Sequence, residues 1–205
     1  MCPPIFMVSE TERHPLKPFL PKGTRLLMLG SFPPAHHRWC MEFFYPNFTN
    51  DMWRIFGICF FGDKLHFVDE QGKAFRKEAL ERFLTVAGIG LYDTAVSVRR
   101  LKNTASDKDL EIVEETDIKA LLRELPECGA IVTTGQKATD VVCRQFGAVA
   151  PTVGAYADVT FGGRNLRLYR MPSSSRAYPM RLEQKAAFYK EMFDREVCEI
   201  LKLKR

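Results

Sequence analysis

The sequence predicts a three-layer α/β/α sandwich built on a central, mostly parallel, four-stranded sheet. Short apolar runs end abruptly at Gly, Asp or Pro, which is typical of strands buried on both faces of a parallel sheet. Amphipathic stretches lie between these runs, and the alternation indicates helices on both faces of the sheet. The chain has 205 residues, 46% of them apolar and 27% charged, which favours one folded domain.

The first part of the chain predicts an N-terminal arm, a strand and a short helix. Residues 1–24 carry five prolines, which oppose helix and central strand, so we expect an arm there and a single α/β domain over residues 25–205. The apolar run at 25–29 predicts the first strand, because Gly30 and the prolines after it cannot continue a strand. Apolar residues at one-face spacing predict a short helix over 50–57.

The middle of the chain predicts two helices on either side of a second strand. Apolar residues four apart predict a helix over 74–86. The run at 89–92 predicts a buried strand that ends at Asp93. Residues 99–111 are polar and charged and predict a surface loop. A helix is expected over 116–125, with the hydroxyl of its first residue as the N-cap.

The last third predicts two more strands, a hairpin turn and a closing helix. The run at 130–134 predicts a third strand, followed by a helix that ends at Phe146. Two adjacent glycines, 162–163, predict a hairpin turn. The fourth strand is expected over 166–171, where the next residue, a proline, stops it. An amphipathic helix is expected over 182–201.

Charge, hydropathy and cysteine usage narrow the classes of function. The net charge of +5 suits a polyanionic partner without requiring one. No run of about 18 apolar residues occurs and the first 19 residues lack an apolar signal core, so we expect a cytoplasmic protein with no membrane partner. The six cysteines form no CxxC or CxC pair, which predicts free thiols and no metal site. The second half of the chain has no histidine, which argues against a Ser-His-Asp triad.

Four loops, at 30–34, from Asp93 onward, at 135–136 and at 172–176, leave the carboxyl ends of the predicted strands, where ligands bind in sheets of this kind. The loop at 30–34 would hold backbone N–H groups and an aromatic ring against a flat ligand, unless it is an ordinary strand exit. Asp93 would accept an N–H from a ligand or cap a helix. The loop at 172–176 is rich in hydroxyls and donors, which suits phosphate but is also typical of a flexible polar loop.

The segment between the first strand and the short helix is unusually aromatic. Three consecutive aromatic residues, 43–45, cannot all face one core, so at least one ring should line a cavity, where it would stack on a base or a sugar. Asn50 stands where a helix N-cap is expected. If its side chain also faced the cavity, it would both cap the helix and contact a ligand.

Five short segments occur in the same order and with similar spacing as five motifs of one enzyme superfamily. They are Gly30-Ser-Phe-Pro-Pro34, Phe44-Tyr-Pro-Asn-Phe-Thr-Asn-Asp-Met-Trp53, Ile89-Gly-Leu-Tyr-Asp93, Thr134-Gly-Gln-Lys-Ala138 and Met171-Pro-Ser-Ser-Ser175. In these segments the chain resembles the uracil-DNA glycosylase superfamily, and most closely its hypoxanthine-DNA glycosylase-like branch. The resemblance runs from about residue 25 to residue 193 and so covers most of the chain.

The resemblance implies a monomeric DNA repair glycosylase that needs no cofactor and acts on DNA containing a deaminated base, uracil or hypoxanthine. Asn50, the Asn before the Trp, would be the catalytic residue that positions water. The base-binding residues would be Gly30, Ser31, Phe32, Pro33, Phe44, Tyr45 and Asp93. The DNA-binding residues would be Ser173, Ser174, Ser175, Arg176 and Tyr178.

Two positions depart from the motifs that many members of the superfamily share. Phe32 stands where many relatives have Asp or Asn, and Met171 stands where many have His. These departures keep open a DNA-binding module that has the fold but little or no activity. An unrelated small-molecule enzyme that uses the same strand ends is a further alternative, which predicts no salt-dependent DNA binding.

Overall fold

A computed structural model describes residues 10–102 and 109–198 of the chain. Within these residues the helices are α1 (Met52–Phe61), α2 (Lys77–Ala87), α3 (Ile118–Glu124), α4 (Gln136–Phe146) and α5 (Leu182–Phe193). The strands are β1 (Thr11–Arg13), β2 (Leu26–Gly30), β3 (Val68–Asp69), β4 (Ala74–Phe75), β5 (Ile89–Asp93), β6 (Ala95–Arg100), β7 (Leu110–Glu115), β8 (Ala130–Thr134), β9 (Tyr156–Phe161) and β10 (Arg164–Met171).

The central sheet has five strands in the order β5-β2-β8-β10-β9. The first four are parallel neighbours, which confirms the predicted α/β class with a mostly parallel sheet. The predicted number of four strands is wrong, because β9 adds an antiparallel edge strand next to β10. The two strands are joined by the predicted turn at Gly162 and Gly163, which have φ angles of 57° and 75° that suit glycine.

A second sheet, in the order β1-β6-β7, lies where a surface loop was predicted. Arg99 and Arg100 belong to β6, where they pair with Glu111 and Leu110 of β7. The prediction of a loop over 99–111 is therefore wrong at both ends, while residues 103–108 lie outside the described residues. The N-terminal segment supplies the edge strand β1, which pairs antiparallel with β6, so its described part packs on the rest of the fold.

Four helices have bounds that differ from the sequence prediction. Helix α1 spans Met52–Phe61 and not 50–57, so it begins two residues later and ends four residues later. Helix α2 begins at Lys77, because Phe75 is part of the two-stranded β3–β4 hairpin. Helix α3 is capped by Asp117, whose Oδ1 accepts a hydrogen bond from the N–H of Ala120 over 2.9 Å. The predicted cap, Thr116, instead donates its hydroxyl to the backbone oxygen of Asp93 over 2.8 Å. The closing helix ends at Phe193, where a π-helical turn follows to residue 198; the rest of the predicted 182–201 helix lies outside the described residues.

The buried strands bring the predicted loops to one edge of the sheet. Strands β2, β5 and β8 are buried along their whole length. In the register of β2 with β5, Gly30 is the partner of Asp93, so the two strands end side by side.

Four cysteines among the described residues are free, and burial raises the pKa of Cys128 to about 11, which keeps this thiol neutral and unreactive. No helix in the described part of the chain is long and apolar enough to cross a membrane.

Candidate active site

A cavity of about 690 Å³ opens at the carboxyl ends of the central strands. All four predicted loops contribute to its wall, as expected for ligand sites in parallel sheets. The predicted site residues that line it are Gly30, Ser31, Phe32, Pro33, Tyr45, Asn50, Asp93, Ser173, Ser174, Ser175, Arg176 and Tyr178. The structure therefore brings together twelve of the thirteen residues that the sequence assigned to the site.

The exception is Phe44, which is not among the described residues that line the cavity. Its side chain is buried in the main core, where its ring packs edge-on against Phe43 and Tyr92. The backbone oxygen of Phe44 accepts a hydrogen bond from Trp53 Nε1 over 3.1 Å. Phe44 thus anchors the aromatic segment to the core, and the ring that reaches the cavity belongs to its neighbour, Tyr45.

Tyr45 is held in the cavity wall by its backbone conformation and by its hydroxyl. It has a φ angle of 49°, a left-handed conformation that is uncommon for a residue with a side chain. Its Oη lies 3.2 Å from Thr134 Oγ1, at the end of the neighbouring strand β8. Because both ends of the side chain are fixed, the ring presents a defined surface to a ligand.

Gly30 and Asp93 meet at the back of the cavity. A Cβ atom at position 30 would overlap Asp93 Oδ1 well inside van der Waals contact, so only glycine allows this approach. Asp93 is buried, and its Oδ1 lies beside Gly30 at the cavity wall. A buried carboxylate needs partners, and this one provides an acceptor at the point where a ligand edge would lie.

The second carboxylate oxygen of Asp93 has a partner that the sequence interpretation missed. His14 Nε2 lies 2.9 Å from Asp93 Oδ2, and the two side chains are 1% and 10% exposed. His14 belongs to the proline-rich N-terminal segment, which was expected to be an arm. The pairing of β1 with β6 and the bridge between Phe19 and Leu91 bring this segment to Asp93, so no local sequence signal indicates the contact.

Asn50 lies at the cavity wall directly before helix α1. Its Oδ1 accepts a hydrogen bond from the backbone N–H of Met52 over 2.9 Å, and its backbone N–H donates to the backbone oxygen of Asn47 over 2.8 Å. The side chain is therefore fixed in the turn that starts the helix, although the residue at the N-cap position is Asp51. Its oxygen keeps a second lone pair, which can accept a hydrogen bond from water.

Asp51 ties the start of α1 to the serine-rich loop. Lys185 Nζ, on helix α5, donates to Asp51 Oδ2 over 2.9 Å and to the backbone oxygen of Ser175 over 2.7 Å. The backbone N–H of Asp51 donates to the backbone oxygen of Ser174 over 2.9 Å. A buried ion pair with these additional hydrogen bonds holds Asn50 and the serine loop in one arrangement.

The serine loop presents hydroxyl groups along the cavity mouth. Ser173 Oγ accepts from the N–H of Ser175, and Ser175 Oγ accepts from the N–H of Ala177, both over 3.2 Å. These bonds fix the oxygens and leave the hydroxyl protons available to a ligand oxygen. Arg176 has a side chain that is 58% exposed, with its Nε 3.4 Å from Asp51 Oδ1.

The comparison with solved structures identifies the fold that carries this cavity. The chain is similar to the solution NMR structure of "a putative Uracil DNA glycosylase from Methanosarcina acetivorans", with a TM-score of 0.57 and 22% identity over 89% of this chain and 99% of that chain. The chain has a uracil-DNA glycosylase-like fold. No protein-family model matches the sequence. No curated protein matches it significantly.

Phe32 and Met171, which depart from the motifs that many relatives share, are both buried. The Phe32 ring lies at the cavity wall but is mostly buried, with ring-centre distances of 5.2 Å to His14 and 5.7 Å from the Arg100 guanidinium carbon. Met171 is buried in the main core. Neither side chain offers a polar group to the cavity.

The cavity of this glycosylase-like fold also contains residues that the sequence interpretation did not assign. They are Pro34, Pro46, Asn47, Thr49, Arg100, Leu110, Thr134, Gly135, Gln136, Lys137, Asp140, Ala177 and Pro179. Eight of these thirteen belong to the five motif segments, so the motifs are the signal that finds them. One of the eight, Lys137, donates its Nζ to the backbone oxygen of Leu110 over 2.7 Å and closes the wall against the second sheet. Among the described residues, no group of three or more His, Cys, Asp or Glu side chains could hold a metal ion.

Proposed function

We propose that this protein is a monofunctional DNA glycosylase that hydrolyses the N-glycosidic bond of a deaminated base, uracil or hypoxanthine, flipped out of DNA. One observation carries the proposal: a single cavity in a glycosylase-like fold contains an aromatic ring, a buried carboxylate, a fixed amide and a row of hydroxyls. These are the groups needed to stack on a base, read its edge, position water and hold the flanking phosphates.

The base would lie against Tyr45 with its edge toward Asp93. An ionised carboxylate only accepts hydrogen bonds, so it suits an edge that carries an N–H group. Uracil offers N3–H and hypoxanthine offers N1–H at that edge. The contact of Asp93 with Gly30 places the acceptor at the back of the cavity, where the stacked base would point.

Asn50 would hold the attacking water against the anomeric carbon of the sugar. The water oxygen bonds to C1′ while the C1′–N bond breaks, and the electron pair of that bond leaves with the base. The water loses one proton, and the base anion takes one up, so the products are an abasic sugar and the free base. The transition state has oxocarbenium character, so a weakly activated water suffices if the departing anion is stabilised, a role that suits the backbone N–H groups of the 30–34 loop.

The serine loop would bind the phosphates on either side of the flipped nucleotide. Ser173 and Ser175 have hydroxyl protons free for phosphate oxygens, and Arg176 adds positive charge at the cavity mouth. Tyr178, which also lines the cavity, or Arg176 would fill the gap in the duplex. The reaction as written uses one protein chain and no cofactor or metal ion.

A second candidate is a DNA-binding module with little or no catalytic activity. The observation that favours it is the burial of Phe32 and Met171 at the positions where many relatives have a polar group. Such a module would bind DNA that contains uracil or an abasic site and would release no base.

The deciding experiment is a single-turnover incubation with labelled oligonucleotides that carry uracil, hypoxanthine, xanthine or thymine opposite each normal base, followed by alkaline cleavage. We expect strand scission at uracil or hypoxanthine. Salt-dependent binding of the same oligonucleotides without scission would replace the proposal by the binding module. An absence of both scission and salt-dependent binding would overturn both DNA functions.

A further inference from the structure

His14 is enclosed beneath the cavity by groups from three parts of the chain. Its ring centre lies 5.2 Å from that of Phe32 and 4.8 Å from that of Tyr92, and its side chain is 1% exposed. Its Nε2 faces Asp93 Oδ2 at 2.9 Å. Burial raises the pKa of Tyr92, and the Asp93 charge raises it further, so the neighbouring phenol stays neutral. Asp93 and His14 thus form a polar pair inside an aromatic enclosure.

The Asp93 carboxylate and the Leu16 N–H together favour a proton on Nε2 of His14. The Leu16 N–H points at His14 Nδ1 over 3.1 Å, and the Leu16 carbonyl oxygen lies 2.9 Å from the same nitrogen. If Nδ1 accepts from this N–H, the proton of a neutral ring is on Nε2 and is donated to Asp93. If Nδ1 carried the proton instead, the Leu16 N–H would face another N–H group, and Nε2 would present a lone pair to the carboxylate. The first arrangement pairs every donor with an acceptor.

We propose that His14 is a positioning residue for Asp93, and that the pair makes the cavity selective for bases whose edge carries an N–H donor. A donor on Oδ2 fixes the orientation of the carboxylate and leaves Oδ1, which in a carboxylate can only accept, at the cavity wall. The inference rests on the proposed function, since it names the feature of the base that the site reads.

This selectivity matches the chemistry of deamination. Cytosine and adenine present an unprotonated ring nitrogen, N3 or N1, at the edge that pairs with the opposite strand. Deamination to uracil or hypoxanthine places a hydrogen on that same nitrogen and turns an acceptor into a donor. An acceptor-only carboxylate would repel the lone pair of the undamaged base and bind the N–H of the deaminated one. The His14–Asp93 pair therefore reads the atom that deamination changes.

The position of the proton can be tested without any catalytic activity. Nitrogen NMR of the full chain labelled with ¹⁵N-histidine, with a His14→Gln sample to assign the resonance, distinguishes a protonated from an unprotonated Nε2. We expect a proton on His14 Nε2 at pH 7. An Nε2 without a proton would overturn the inference and leave the proposed function untouched.

The selectivity can be tested with two variants of one residue. The amide nitrogen of glutamine reaches the place of His14 Nε2, so His14→Gln keeps a donor to Asp93, whereas His14→Leu removes it. We expect His14→Leu to reduce the single-turnover excision rate on uracil and hypoxanthine about tenfold, the effect of one pocket hydrogen bond, with binding to abasic-site DNA unchanged. His14→Gln should recover most of that rate.

The controls separate a positioning role from a structural one. His37→Leu makes the same chemical change at an exposed histidine and should have the wild-type rate. If both His14 variants lose abasic-site binding and excision to the same extent, His14 only supports the fold and the inference is wrong. If wild-type protein excises no lesion, the proposed function fails, and the NMR result alone then reports whether the donor pair exists.

Discussion

Lys185 Nζ donates to Asp51 Oδ2 over 2.9 Å, and the two side chains are 0% and 7% exposed. The partners are 134 residues apart in the chain and connect helix α5 to the start of helix α1. The same ammonium group also bonds the backbone oxygen of Ser175. One buried cation therefore fixes the distance between Asn50, which precedes Asp51, and the loop assigned to phosphate binding.

The first prediction concerns the stability that this ion pair provides. Lys185→Met keeps most of the side-chain volume but leaves the buried Asp51 carboxylate with only its weaker contact to Arg176. Because an unpaired buried charge is costly, we expect the free energy of unfolding in urea to fall by about 3–5 kcal/mol. Lys190→Met, which removes an exposed ion pair with Asp194 on the same helix, should cost less than about 1 kcal/mol. Equal losses in the two variants would show that the buried pair has no special role.

The second prediction concerns catalysis by Asn50. If its side chain positions water, Asn50→Ala should lower the single-turnover rate by roughly 10²-fold or more, the range for a positioned polar group. Affinity for abasic-site DNA should change little. The bond from Oδ1 to the N–H of Met52 is also lost, so unfolding should become easier by about 1 kcal/mol. A rate within about threefold of wild type would limit Asn50 to this structural role.

The third prediction concerns the contact of Gly30 with Asp93. The added methyl group of Gly30→Ala would displace the carboxylate, so we expect a large loss of excision together with a loss of stability of about 1–3 kcal/mol. Gly129→Ala is the matched control, since a Cβ there meets no atom within 4 Å. The double variant Gly30→Ala/Asp93→Ala should lose less free energy of unfolding than the sum of the losses in the two single variants. Strict additivity in this cycle would contradict the clash.

The fourth prediction concerns the DNA backbone. Arg176 is exposed at the cavity mouth, and its contact with Asp51 is long, so its charge remains available to a phosphate. Arg176→Ala should weaken binding to all sequences alike and reduce the slope of log affinity against log salt by about 0.9, the value for one phosphate. Arg82→Ala, on the exposed face of α2 and away from the cavity lining, should leave the slope unchanged. An unchanged slope in Arg176→Ala would place this side chain outside the interface.

The fold could be predicted where burial is continuous and not where it alternates. Strands β2, β5 and β8 are buried at every position, and their apolar runs were visible in the sequence. Strands β7 and β9 expose many of their residues and contain charged side chains such as Glu111 and Asp158, so the start of β7 was predicted as a loop and β9 was not predicted as a strand. Half-exposed antiparallel strands have weak hydrophobic signals, and only their partners in the sheet define them.

The cavity could be predicted because its residues follow strand ends, which a parallel sheet gathers at one edge. The residues that support the cavity from below could not be predicted. His14 reaches Asp93 across 79 residues and Lys185 reaches Asp51 across 134, so both contacts depend on tertiary packing. A histidine in a proline-rich segment and a lysine on an amphipathic helix each read as solvent-exposed. Phe44 shows the opposite error, because it was assigned to the cavity and its side chain is buried in the core. Three consecutive aromatic residues do not indicate which ring faces inward.

The last prediction concerns Asp93 and follows from the donor on His14. In Asp93→Asn the Nε2–H of His14 still requires an acceptor, so the amide should place its oxygen toward His14 and its NH₂ group toward the base. The cavity would then present a donor to the N–H of uracil or hypoxanthine, and we expect excision of both to fall about tenfold or more. Discrimination against cytosine and adenine, which present a lone pair at that position, should fall as well.

Single-turnover rates and affinities for uracil, hypoxanthine, cytosine and adenine at the same site measure this change in preference. Asp63→Asn, at an exposed position beyond the end of α1, makes the same chemical substitution and should leave all four unchanged. A uniform loss for every base, in proportion to a loss of folding stability, would mean that Asp93 supports the cavity without reading the base. A selective loss for the two deaminated bases is the expected outcome, because among these four bases only they carry a hydrogen on the ring nitrogen of that edge, which a carboxylate accepts and an amide NH₂ repels.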